Sequence, residues 1–335
     1  MQLLSPIPLV SFADIITHDL PPIDWLVTDL IANQDRVVVY GEFGSLKSWL
    51  LLDLALAIAS GQMWLGQFPV PQPKKVLYVD EEMNERTLRR RVKQLGTGIG
   101  TASSALPFRA MSLCGVTVKG PEDVEGLLKE LQSSAFDPDV VILETLRRVM
   151  VGSELDAVDV GNFWRSLRPL QQAGKTVIIS HHMRKPSARG GNAVRDRASG
   201  STDILGGADT AFAVTRQEHG RVVLECVKSR NAEEVQTFAM SLTDGADKSC
   251  RWKFDSFQMG GSQQTQLQQA CEMIIEYLRE KSPYWLMPGE IKKVILSNGV
   301  HTRTYERAWK QVKETGKVER HGSVWRLKVD VPQAA

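Results

Sequence analysis

Residues 37–48 read VVVYGEFGSLKS, and this segment limits the possible folds of the chain more than any other. The β-branched run at 37–40 predicts a buried strand, Gly41 opens a short loop, and the apolar stretch WLLLDLALAIA (49–59) predicts a helix. Strand, glycine-containing loop and helix follow one another in a phosphate-binding loop, where backbone amides and the helix N-terminus point at phosphate oxygens. The sequence therefore predicts an α/β domain that binds a phosphorylated ligand.

The end of this loop carries the groups expected to hold a nucleotide. Lys47 supplies a point charge for the phosphates, and the Ser48 hydroxyl can ligate Mg²⁺. One position departs from the usual pattern, because Leu46 stands where glycine normally precedes the lysine. We predict ATP and Mg²⁺ as ligands, and the predicted nucleotide-binding residues are Gly41, Glu42, Phe43, Gly44, Ser45, Leu46, Lys47 and Ser48.

Short apolar strands and amphipathic helices alternate after this loop. Such alternation indicates a mainly parallel sheet covered by helices on both faces. Three later strands, at 211–214, 222–227 and 235–242, have no helices between them and suggest an antiparallel extension. The predicted earlier strands are 37–40, 76–79, 107–113, 140–143 and 176–180, and the predicted helices are 48–60, 84–95, 122–134 and 157–173.

Changes in composition suggest four regions. Residues 1–36 form an N-terminal segment, and 37–258 form the ATPase domain. The polar stretch MGGSQQTQLQQ (259–269) is typical of a linker, and 270–330 form a small C-terminal domain. That domain is more basic than the rest, since the chain from Gly261 onward has 12 Lys/Arg and 8 Asp/Glu.

Bulk properties exclude several other classes. The formal net charge of +2 over 335 residues is too small to indicate nucleic-acid binding by itself. The longest apolar stretch is too short to cross a bilayer, and the N-terminus lacks a charged-then-apolar leader, so we expect a cytoplasmic protein without a membrane partner. Four cysteines lack the spacing of a zinc site or a disulfide framework: Cys114, Cys226, Cys250 and Cys271.

Acidic residues follow two of the predicted strands. The strand VLYVD (76–80) leads into Glu81 and Glu82, and we expect it to lie beside the strand of the phosphate-binding loop. A carboxylate there can polarise a water for attack on the γ-phosphate, but the same residues also suit the acidic start of the helix 84–95. The strand at 140–143 ends in Glu144, at the position where P-loop enzymes usually have an aspartate that supports the metal ion.

Two histidines and two basic segments complete the candidate features of the ATPase domain. His181 and His182 end the strand TVIIS, where a γ-phosphate sensor or a purely structural pair would fit. The helix at 84–95 is arginine-rich, which indicates a charged outer face. The Gly/Ser/Arg-rich segment 184–202 suggests a mobile loop that either contacts DNA phosphates or lies free in solvent, and its candidate DNA-binding residues are Arg189, Arg195 and Arg197.

The motifs GEFGSLKS, VLYVDEEM, VVILETLRR, VIISHHMRK and VKSRN together resemble the RecA-fold ATPases of the RepA-type hexameric helicases, small relatives of DnaB-type replicative helicases. The resemblance covers roughly residues 15–245. It implies that Glu82, not Glu81, is the catalytic base and that Glu144 takes the place of the Walker B aspartate. The resemblance also implies that the chain forms a homo-oligomer, a hexamer as in that family, and that the oligomer acts on DNA.

The same resemblance assigns three further catalytic residues. His182 takes the place of the γ-phosphate sensor. Lys228 and Arg230 take the place of the pair that reaches the γ-phosphate of a neighbouring subunit. If both lie on one strand, alternation puts them on the same face, and an arginine supplied in trans can stabilise transition-state charge. Ordinary surface charges at a strand end remain an alternative explanation.

The C-terminal segment predicts three short helices and a hairpin that turns at Gly322-Ser323, the organisation of a winged-helix domain. On the third helix, Tyr305, Ala308 and Val312 form an apolar stripe. The opposite side carries three candidate DNA-binding residues, although winged helices also bind proteins: Arg303, Arg307 and Lys310.

The sequence thus predicts a RecA-like P-loop NTPase with a C-terminal winged-helix domain. Its predicted function is that of an ATP-driven DNA motor, a replicative helicase or translocase of a plasmid, phage or other mobile element. Two alternatives stay open: a non-helicase DNA-binding ATPase that mediates replication initiation or recombination, and a nucleotide-gated winged-helix regulator. A small-molecule kinase is disfavoured because no lid or acceptor-site signature is visible.

Overall fold

A computed structural model describes most of the chain, in two compact units, Met1–Gln258 and Met259–Ala335. None of the helices that it describes is long and apolar enough to cross a membrane. The described residues are 10–17, 22–101, 105–183, 198, 202–217, 220–232, 235–258, 266–298, 300, 302–314 and 318–328.

The first unit begins with a short helix, α1 (Phe12–Thr17), and a small antiparallel pair, β1 (Trp25–Val27) and β2 (Ile31–Ala32). A nine-stranded sheet follows in the described residues. Its strands are β3 (Arg36–Gly41), β4 (Val76–Asp80), β5 (Phe108–Ser112), β6 (Val140–Glu144), β7 (Thr176–His182), β8 (Thr210–Arg216), β9 (Arg221–Lys228), β10 (Phe238–Asp244) and β11 (Cys250–Phe257).

The order across the sheet is β11-β10-β9-β8-β3-β7-β6-β4-β5. Strands β5, β4, β6, β7, β3 and β8 pair in parallel, and β9, β10 and β11 add antiparallel pairs at one side. The predicted α/β fold with a mainly parallel sheet is therefore confirmed. Because parallel strands end at the same edge, the residues that follow β3, β4, β6 and β7 are brought together.

Helices cover both faces of this sheet. Alternation along β3 sends Val37 and Val39 into one apolar cluster, with α2 and α3, and Val38 and Tyr40 into the other. Helix α2 is apolar on almost all sides, as expected of a helix buried between a sheet and its neighbours. The helices of this unit after α1 are α2 (Lys47–Ser60), α3 (Glu85–Gly98), α4 (Pro121–Ser133), α5 (Leu146–Val149), α6 (Ala157–Ser166), α7 (Arg168–Gln172) and α8 (Asp203–Gly207).

The sheet order corrects two predictions. Strand β4 does not lie beside β3, because β7 pairs with β3 from Arg36↔Val177 to Gly41↔His182 and β6 lies between β7 and β4. The antiparallel extension begins at β9 and not at β8, since β8 pairs in parallel with β3. Neither error is visible from chain order alone, because crossover helices allow a later strand to insert between earlier ones.

Three local predictions also differ from the structure. The helix expected over 157–173 is divided at Leu167, where Pro169 lacks the N–H that a continuous helix would use. Strand β11 was not predicted, although its sequence CRWKFDSF alternates apolar and polar residues. The outer face predicted for α3 is not wholly charged surface, since the Arg91 guanidinium lies 4.9 Å from the centroid of the Trp49 ring.

The second unit has three helices and a hairpin. They are α9 (Gln266–Glu280), α10 (Pro288–Ser297), α11 (Thr302–Glu314), β12 (Val318–His321) and β13 (Val324–Leu327). Helix α9 begins inside the stretch predicted as a linker. Tyr305, Ala308 and Val312 of α11 are buried in the core of this unit, as predicted. The assignment of the unit as a winged-helix domain stays a prediction.

Candidate active site

The loop between β3 and α2 needs glycine at two positions. Gly41 ends β3, and a Cβ there would collide with the carbonyl oxygen of Val214 and lie 2.8 Å from the Ser45 hydroxyl. Gly44 has φ +79, a left-handed conformation that side chains disfavour. The two glycines therefore allow the tight backbone path that ends at the N-terminus of α2.

Leu46 adopts a conformation that explains why the usual pattern has glycine at its position. It is the N-cap of α2 with φ 67 and ψ 18, in the left-handed region. A residue with a Cβ pays about 1–2 kcal/mol there. The Leu46 side chain is partly buried against the core on the α2 face of the sheet, and this packing offsets part of the cost.

Lys47 is a buried cation at the start of α2, only 6% exposed. Its Nζ donates to the carbonyl oxygens of Gly41, at 2.8 Å, and Glu42, at 3.0 Å. Burial lowers the pKa of Lys47, while the nearby carboxylates of Glu144 and Glu82 raise it. A buried ammonium group beside a helix N-terminus attracts anions, which is the electrostatics that a phosphate group requires.

Glu144, at the end of β6, accepts hydrogen bonds from three hydroxyl groups. Ser48 Oγ donates to Oε1 at 2.8 Å and Ser180 Oγ donates to the same oxygen at 3.1 Å. The Tyr78 hydroxyl donates to Oε2 at 2.8 Å. Glu144 is only 2% exposed, and burial raises its pKa. The carboxylate thus joins the phosphate-binding loop to β4, β6 and β7.

The donors at this point fit a magnesium ion. Mg²⁺ prefers hard oxygen ligands, keeps several waters and is held by few protein groups. Ser48 and Glu144 supply one hydroxyl and one carboxylate oxygen within 2.8 Å of each other. No cluster of three or more His, Cys, Asp or Glu ligands occurs in the part of the chain that the structure describes.

Glu82 lies in the turn after β4 and faces residues from two other strand ends. Its Oε1 is 3.7 Å from His182 Nε2, accepts a hydrogen bond from Thr145 Oγ1 at 3.2 Å, and lies 4.0 Å from Arg148 Nε. The interaction with His182 lowers the pKa of Glu82, so this carboxylate stays ionised at neutral pH. Glu82 is partly exposed and can therefore contact water.

Asp80 is a site residue that the sequence analysis missed. It is fully buried at the end of β4, and its Oδ1 accepts from the backbone N–H groups of Glu82, at 2.8 Å, and Met83, at 2.7 Å. Its Oδ2 is buried without a hydrogen-bond partner among the described residues, and burial raises the Asp80 pKa. An Asp that begins a turn was the available signal, since Asx side chains bind the backbone two residues on.

Glu81 points away from this group. Its carboxylate accepts from the backbone N–H groups of Gly115, at 3.1 Å, and Val116, at 2.9 Å. The two neighbouring glutamates therefore have different surroundings: Glu81 is tied to the loop after β5, whereas Glu82 faces the histidine at the end of β7. This geometry favours Glu82 over Glu81 as the residue that contacts a reacting water.

The two histidines at the end of β7 also differ. His181 is fully buried beside Tyr40 in the parallel register, whereas His182 is paired with Gly41 and is partly exposed. His182 therefore lies next to the start of the phosphate-binding loop and within 3.7 Å of Glu82. Lys47, Ser48, Glu144, Glu82 and His182 all lie at one edge of the sheet.

Lys228 and Arg230 contact other groups of their own chain. Lys228 Nζ donates to the carbonyl oxygens of Leu205, at 2.8 Å, and Gly206, at 3.0 Å. Arg230 pairs with Asp209 at 2.7 Å. Strand β9 ends at Lys228, so the expectation that both cations project from one strand is wrong.

Arg216 is a second residue that the sequence analysis missed. It is exposed at the end of β8, and its NH1 donates to the carbonyl oxygen of Gly44 at 3.3 Å. Because β8 is the parallel neighbour of β3, this arginine comes within reach of the phosphate-binding loop. The signal in the sequence was only a basic residue at a strand end, and its importance depends on the sheet order.

The predicted DNA-binding residues are only partly visible. Arg189, Arg195 and Arg197 lie outside the described residues, as does the side chain of Arg303. Arg307 and Lys310 are exposed on α11, away from its buried stripe.

The chain is similar to a known protein family and to several solved structures. The sequence model of a family described as an AAA domain matches residues 3–188, more than half of the chain. No curated protein sequence matches the chain. Solved structures similar to it include an ATPase domain, with TM-score 0.46 and 14% identity over 64% of this chain and 83% of that one. The RadB recombinase matches with TM-score 0.44 and 17% identity, over 66% of this chain and 91% of that one. The flagellar accessory protein FlaH from Methanocaldococcus jannaschii matches with TM-score 0.43 and 11% identity, over 68% of this chain and 91% of that one.

Proposed function

The chain belongs to the AAA domain family and is a P-loop ATPase, and from this premise we propose that it hydrolyses ATP in a DNA-dependent way. The ATPase part of the proposal is carried by the 2.8 Å hydrogen bond from Ser48 to Glu144, and its DNA dependence rests on the resemblance of the motifs to RepA-type helicases. This bond joins the start of α2 to the end of β6, and Glu144 also accepts hydrogen bonds from Tyr78 on β4 and Ser180 on β7, the strands that lead to Glu82 and His182. Phosphate-binding and water-activating groups thereby meet at one edge of the sheet.

Phosphate binding falls to the loop and the start of α2. The backbone amides from Gly41 to Ser48 and the Lys47 ammonium would hold the β- and γ-phosphates. Lys47 now donates to two loop carbonyls, and a bound phosphate would replace them as a stronger, charged acceptor. Ser48 and Glu144 would hold Mg²⁺, which when bound supplies charge neutralisation between the β- and γ-phosphates.

Water activation falls to Glu82. A carboxylate that orients the attacking water must be ionised, partly accessible and fixed in direction. The lowered pKa of Glu82 keeps its carboxylate ionised, and its partial exposure lets water reach it. The hydrogen bond from Thr145 fixes its direction. His182 bridges Glu82 and the loop, so it can report to Glu82 whether a γ-phosphate is present.

Arg230 and Lys228 complete the proposed mechanism across a subunit boundary. The Arg230 side chain is 53% exposed, so its ion pair with Asp209 is weak enough to exchange for a phosphate of a neighbour. In a head-to-tail ring every subunit offers the same pair to the next one. We propose a hexameric ring that moves on DNA, as a RepA-like helicase or translocase of a mobile element.

The first test is steady-state ATPase turnover, with and without single-stranded DNA. We expect Lys47→Ala and Glu82→Gln each to lower turnover at least about tenfold, the usual cost of one transition-state contact. Two matched variants should stay near wild type. Glu81→Gln changes the adjacent glutamate, and Lys175→Ala removes another buried lysine, which pairs with Asp137 at 2.7 Å.

A mixing experiment tests the subunit boundary. Arg230→Ala and Lys47→Ala should each be inactive alone, because Arg230→Ala lacks the arginine for the neighbouring site and Lys47→Ala lacks the lysine that binds the phosphates. In a random equal mixture of a head-to-tail ring, about a quarter of sites would combine an intact loop with an intact arginine, so activity should return to about that fraction. Arg168→Ala, an exposed arginine on α7, is the control and should be fully active.

These results separate the candidate functions. Turnover that rises with single-stranded DNA, together with strand displacement, supports the motor. DNA-stimulated turnover without displacement supports the mediator, and sequence-specific duplex binding supports the regulator. Wild-type protein that does not bind ATP with Mg²⁺ refutes all three.

A further inference from the structure

Helix α5 presents two residues to the carboxylate of Glu82. The helix begins directly after Thr145, and its Leu146 and Val149 are buried in the core on the sheet face opposite to α2. The backbone N–H of Arg148 donates to the carbonyl oxygen of Thr145 at 2.9 Å. Residues three apart on a helix lie on the same side. The two buried residues therefore hold α5 with Thr145 and Arg148 on the side that faces Glu82.

The side-chain contacts of Glu82 with the described residues all go to one carboxylate oxygen. Thr145 Oγ1 donates to Oε1 at 3.2 Å, His182 Nε2 lies 3.7 Å from this oxygen, and Arg148 Nε lies 4.0 Å from it. The other oxygen, Oε2, thus remains available to the water that the carboxylate would orient.

The pair between Arg148 and Glu82 is of the kind that exchanges readily. The distance of 4.0 Å is longer than a hydrogen bond, and the Arg148 side chain is 63% exposed. Lys175 shows the contrast, since its side chain is 10% exposed and it holds Asp137 at 2.7 Å. Exposed ion pairs contribute little to stability. Arg148 can therefore leave Glu82 for an acceptor of higher charge.

The γ-phosphate of a bound ATP would lie within reach of this arginine. A water that Glu82 orients lies about 3 Å from the carboxylate and attacks phosphorus from about 3–3.5 Å, so Glu82 and the γ-phosphorus would be about 6 Å apart. Arg148 contacts Glu82 through Nε. Its two terminal nitrogens can therefore extend from Glu82 toward a phosphate oxygen.

Charge also calls for a cation at this point. Glu82 and the γ-phosphate are both negative, and like charges about 6 Å apart in a partly buried site repel each other. Lys47 binds the phosphates from the side of the loop, where its Nζ contacts the carbonyl oxygens of Gly41 and Glu42. A guanidinium between the carboxylate and the phosphate would offset the repulsion, and its planar fork matches the geometry of phosphate oxygens.

From this arrangement we propose that Arg148 is a catalytic residue supplied in cis, which contacts the γ-phosphate of the ATP bound by its own chain. The water oxygen bonds to the γ-phosphorus while the bond to the bridging oxygen breaks, which yields ADP, inorganic phosphate and a proton. Arg148 would stabilise the charge that develops on the γ-phosphate oxygens in this step. The inference rests on the proposed ATP site and adds to Arg230, which is proposed to act on a neighbouring subunit.

The first test compares nucleotide affinities, measured by calorimetry with Mg²⁺. We expect Arg148→Gln to weaken the binding of the non-hydrolysable analogue adenylyl imidodiphosphate about fivefold or more, because one charge-assisted contact to the γ-phosphate is lost. ADP has no γ-phosphate, so its affinity should stay within about twofold of wild type. Arg148→Lys, which keeps the charge but not the fork, should lie between Arg148→Gln and wild type.

Arg147 provides the matched control. It is the neighbouring exposed arginine on α5, and it lines a cavity with Met150 and Leu155. Arg147→Gln should leave both affinities and the turnover of ATP near wild type. Arg148→Gln should lower turnover at saturating ATP at least about tenfold. A residue that only positions Glu82 would lower turnover and leave the preference for the analogue over ADP unchanged, and that result would overturn the proposed contact.

A mixing experiment tests whether Arg148 acts within its own chain. If it does, an equal mixture of Arg148→Gln and Lys47→Ala has no intact site, because each site lacks either the arginine or the lysine. Turnover should then stay at the mean of the two variants. Recovery to about a quarter of wild-type turnover would place Arg148 in the site of a neighbouring subunit and overturn the inference.

The outcomes separate this inference from the proposed function. Wild-type protein that binds ATP, together with an Arg148→Gln variant whose preference for the analogue over ADP is unchanged, refutes the inference alone. Wild-type protein that binds no nucleotide refutes both. Because Arg148 is exposed, Arg148→Gln should unfold in urea like wild type, so a loss of affinity would not reflect a damaged fold.

Discussion

Replacing Asp80 with alanine removes the acceptor that fixes the turn carrying Glu82. Two backbone N–H groups, those of Glu82 and Met83, donate to Asp80 Oδ1 at 2.8 and 2.7 Å. Asp80 does not reach solvent, so water cannot take over as acceptor without a rearrangement. We predict that Asp80→Ala lowers the turnover of ATP while ATP affinity, which depends on Lys47 and the loop amides, changes little.

The size of the effect follows from the bonds that are lost. A hydrogen bond to a charged group contributes about 1.5–3 kcal/mol, and a buried donor without a partner costs about 1–3 kcal/mol. Part of this loss is offset, because the variant no longer buries the partnerless Oδ2. We expect a net loss of about 1–2 kcal/mol in the free energy of unfolding. Turnover should fall at least about tenfold, since a small displacement of a catalytic group is costly.

Asp139 provides a matched control. Its Oδ2 accepts a hydrogen bond from the backbone N–H of Lys75 at 2.8 Å. Asp139 comes just before β6 and Lys75 just before β4, so this bond lies at the opposite edge of the sheet from Glu82. Asp139→Ala therefore removes a carboxylate–backbone hydrogen bond far from the reacting groups, although this is one exposed bond where Asp80 makes two in a buried position. The assay is steady-state ATP hydrolysis, with ATP affinity from a fluorescent ATP analogue and unfolding in urea. Asp80→Asn, which keeps an acceptor oxygen, should recover most of the turnover.

Two outcomes would refute this reasoning. Equal turnover in Asp80→Ala and Asp139→Ala would mean that the turn is fixed by other contacts. A similar loss in Asp80→Asn and Asp80→Ala would mean that the negative charge of Asp80 matters and not its hydrogen bonds.

Three other predictions concern stability and the loop. Burial raises the pKa of Asp53 to about 7, so between pH of about 4 and 7 the folded chain keeps a proton that the unfolded chain has lost, and the free energy of unfolding must fall as the pH rises through this range. Asp53→Asn should remove this pH dependence, as measured by unfolding in urea. A wild type that gains stability relative to Asp53→Asn between pH 5 and 8 would contradict the prediction. Gly41→Ala should destabilise the chain by about 1–3 kcal/mol, because the added Cβ collides with Val214, and it should also weaken ATP binding as measured by calorimetry. Gly207→Ala is the control, since its Cβ collides with a tryptophan ring and should destabilise the chain without changing ATP affinity. Arg216→Ala should weaken ATP binding about two- to fivefold with turnover at saturation unchanged, and a loss of turnover alone would refute a binding role.

Local sequence signals predicted the elements of the first unit well. The β-branched runs at β3, β6 and β7 are buried on both faces, so their apolar residues are continuous and easy to recognise. The loop from Gly41 to Ser48 was recognisable because its chemistry depends on residues close in sequence. Strands β4 and β8 were predicted for the same reason, whereas β5, β9 and β10 are only partly buried and were still predicted with boundaries within a few residues.

The contacts between strand ends could not be predicted in the same way. Whether Glu82 meets His182 depends on β6 lying between β4 and β7, and chain order does not specify that arrangement. Asp80 is opposite Glu144 only because β4 and β6 pair in that register. Arg91 lies over Trp49 because α3 packs against α2, although Arg90 and Lys93 on the same helix are exposed. Each of these facts depends on tertiary packing that periodicity does not encode.

The structure also explains how the chain accommodates a glutamate in place of the expected aspartate at the end of β6. The Glu144 carboxylate reaches Ser48 on the α2 side with Oε1 and Tyr78 on β4 with Oε2, at 2.8 Å each. A shorter side chain would sit closer to the backbone of β6 and could not reach both hydroxyls. The tyrosine on β4 and the serine on β7 make the longer carboxylate fixed rather than mobile. The departure from the usual pattern is therefore matched by its neighbours, and it gives no reason to regard the site as inactive.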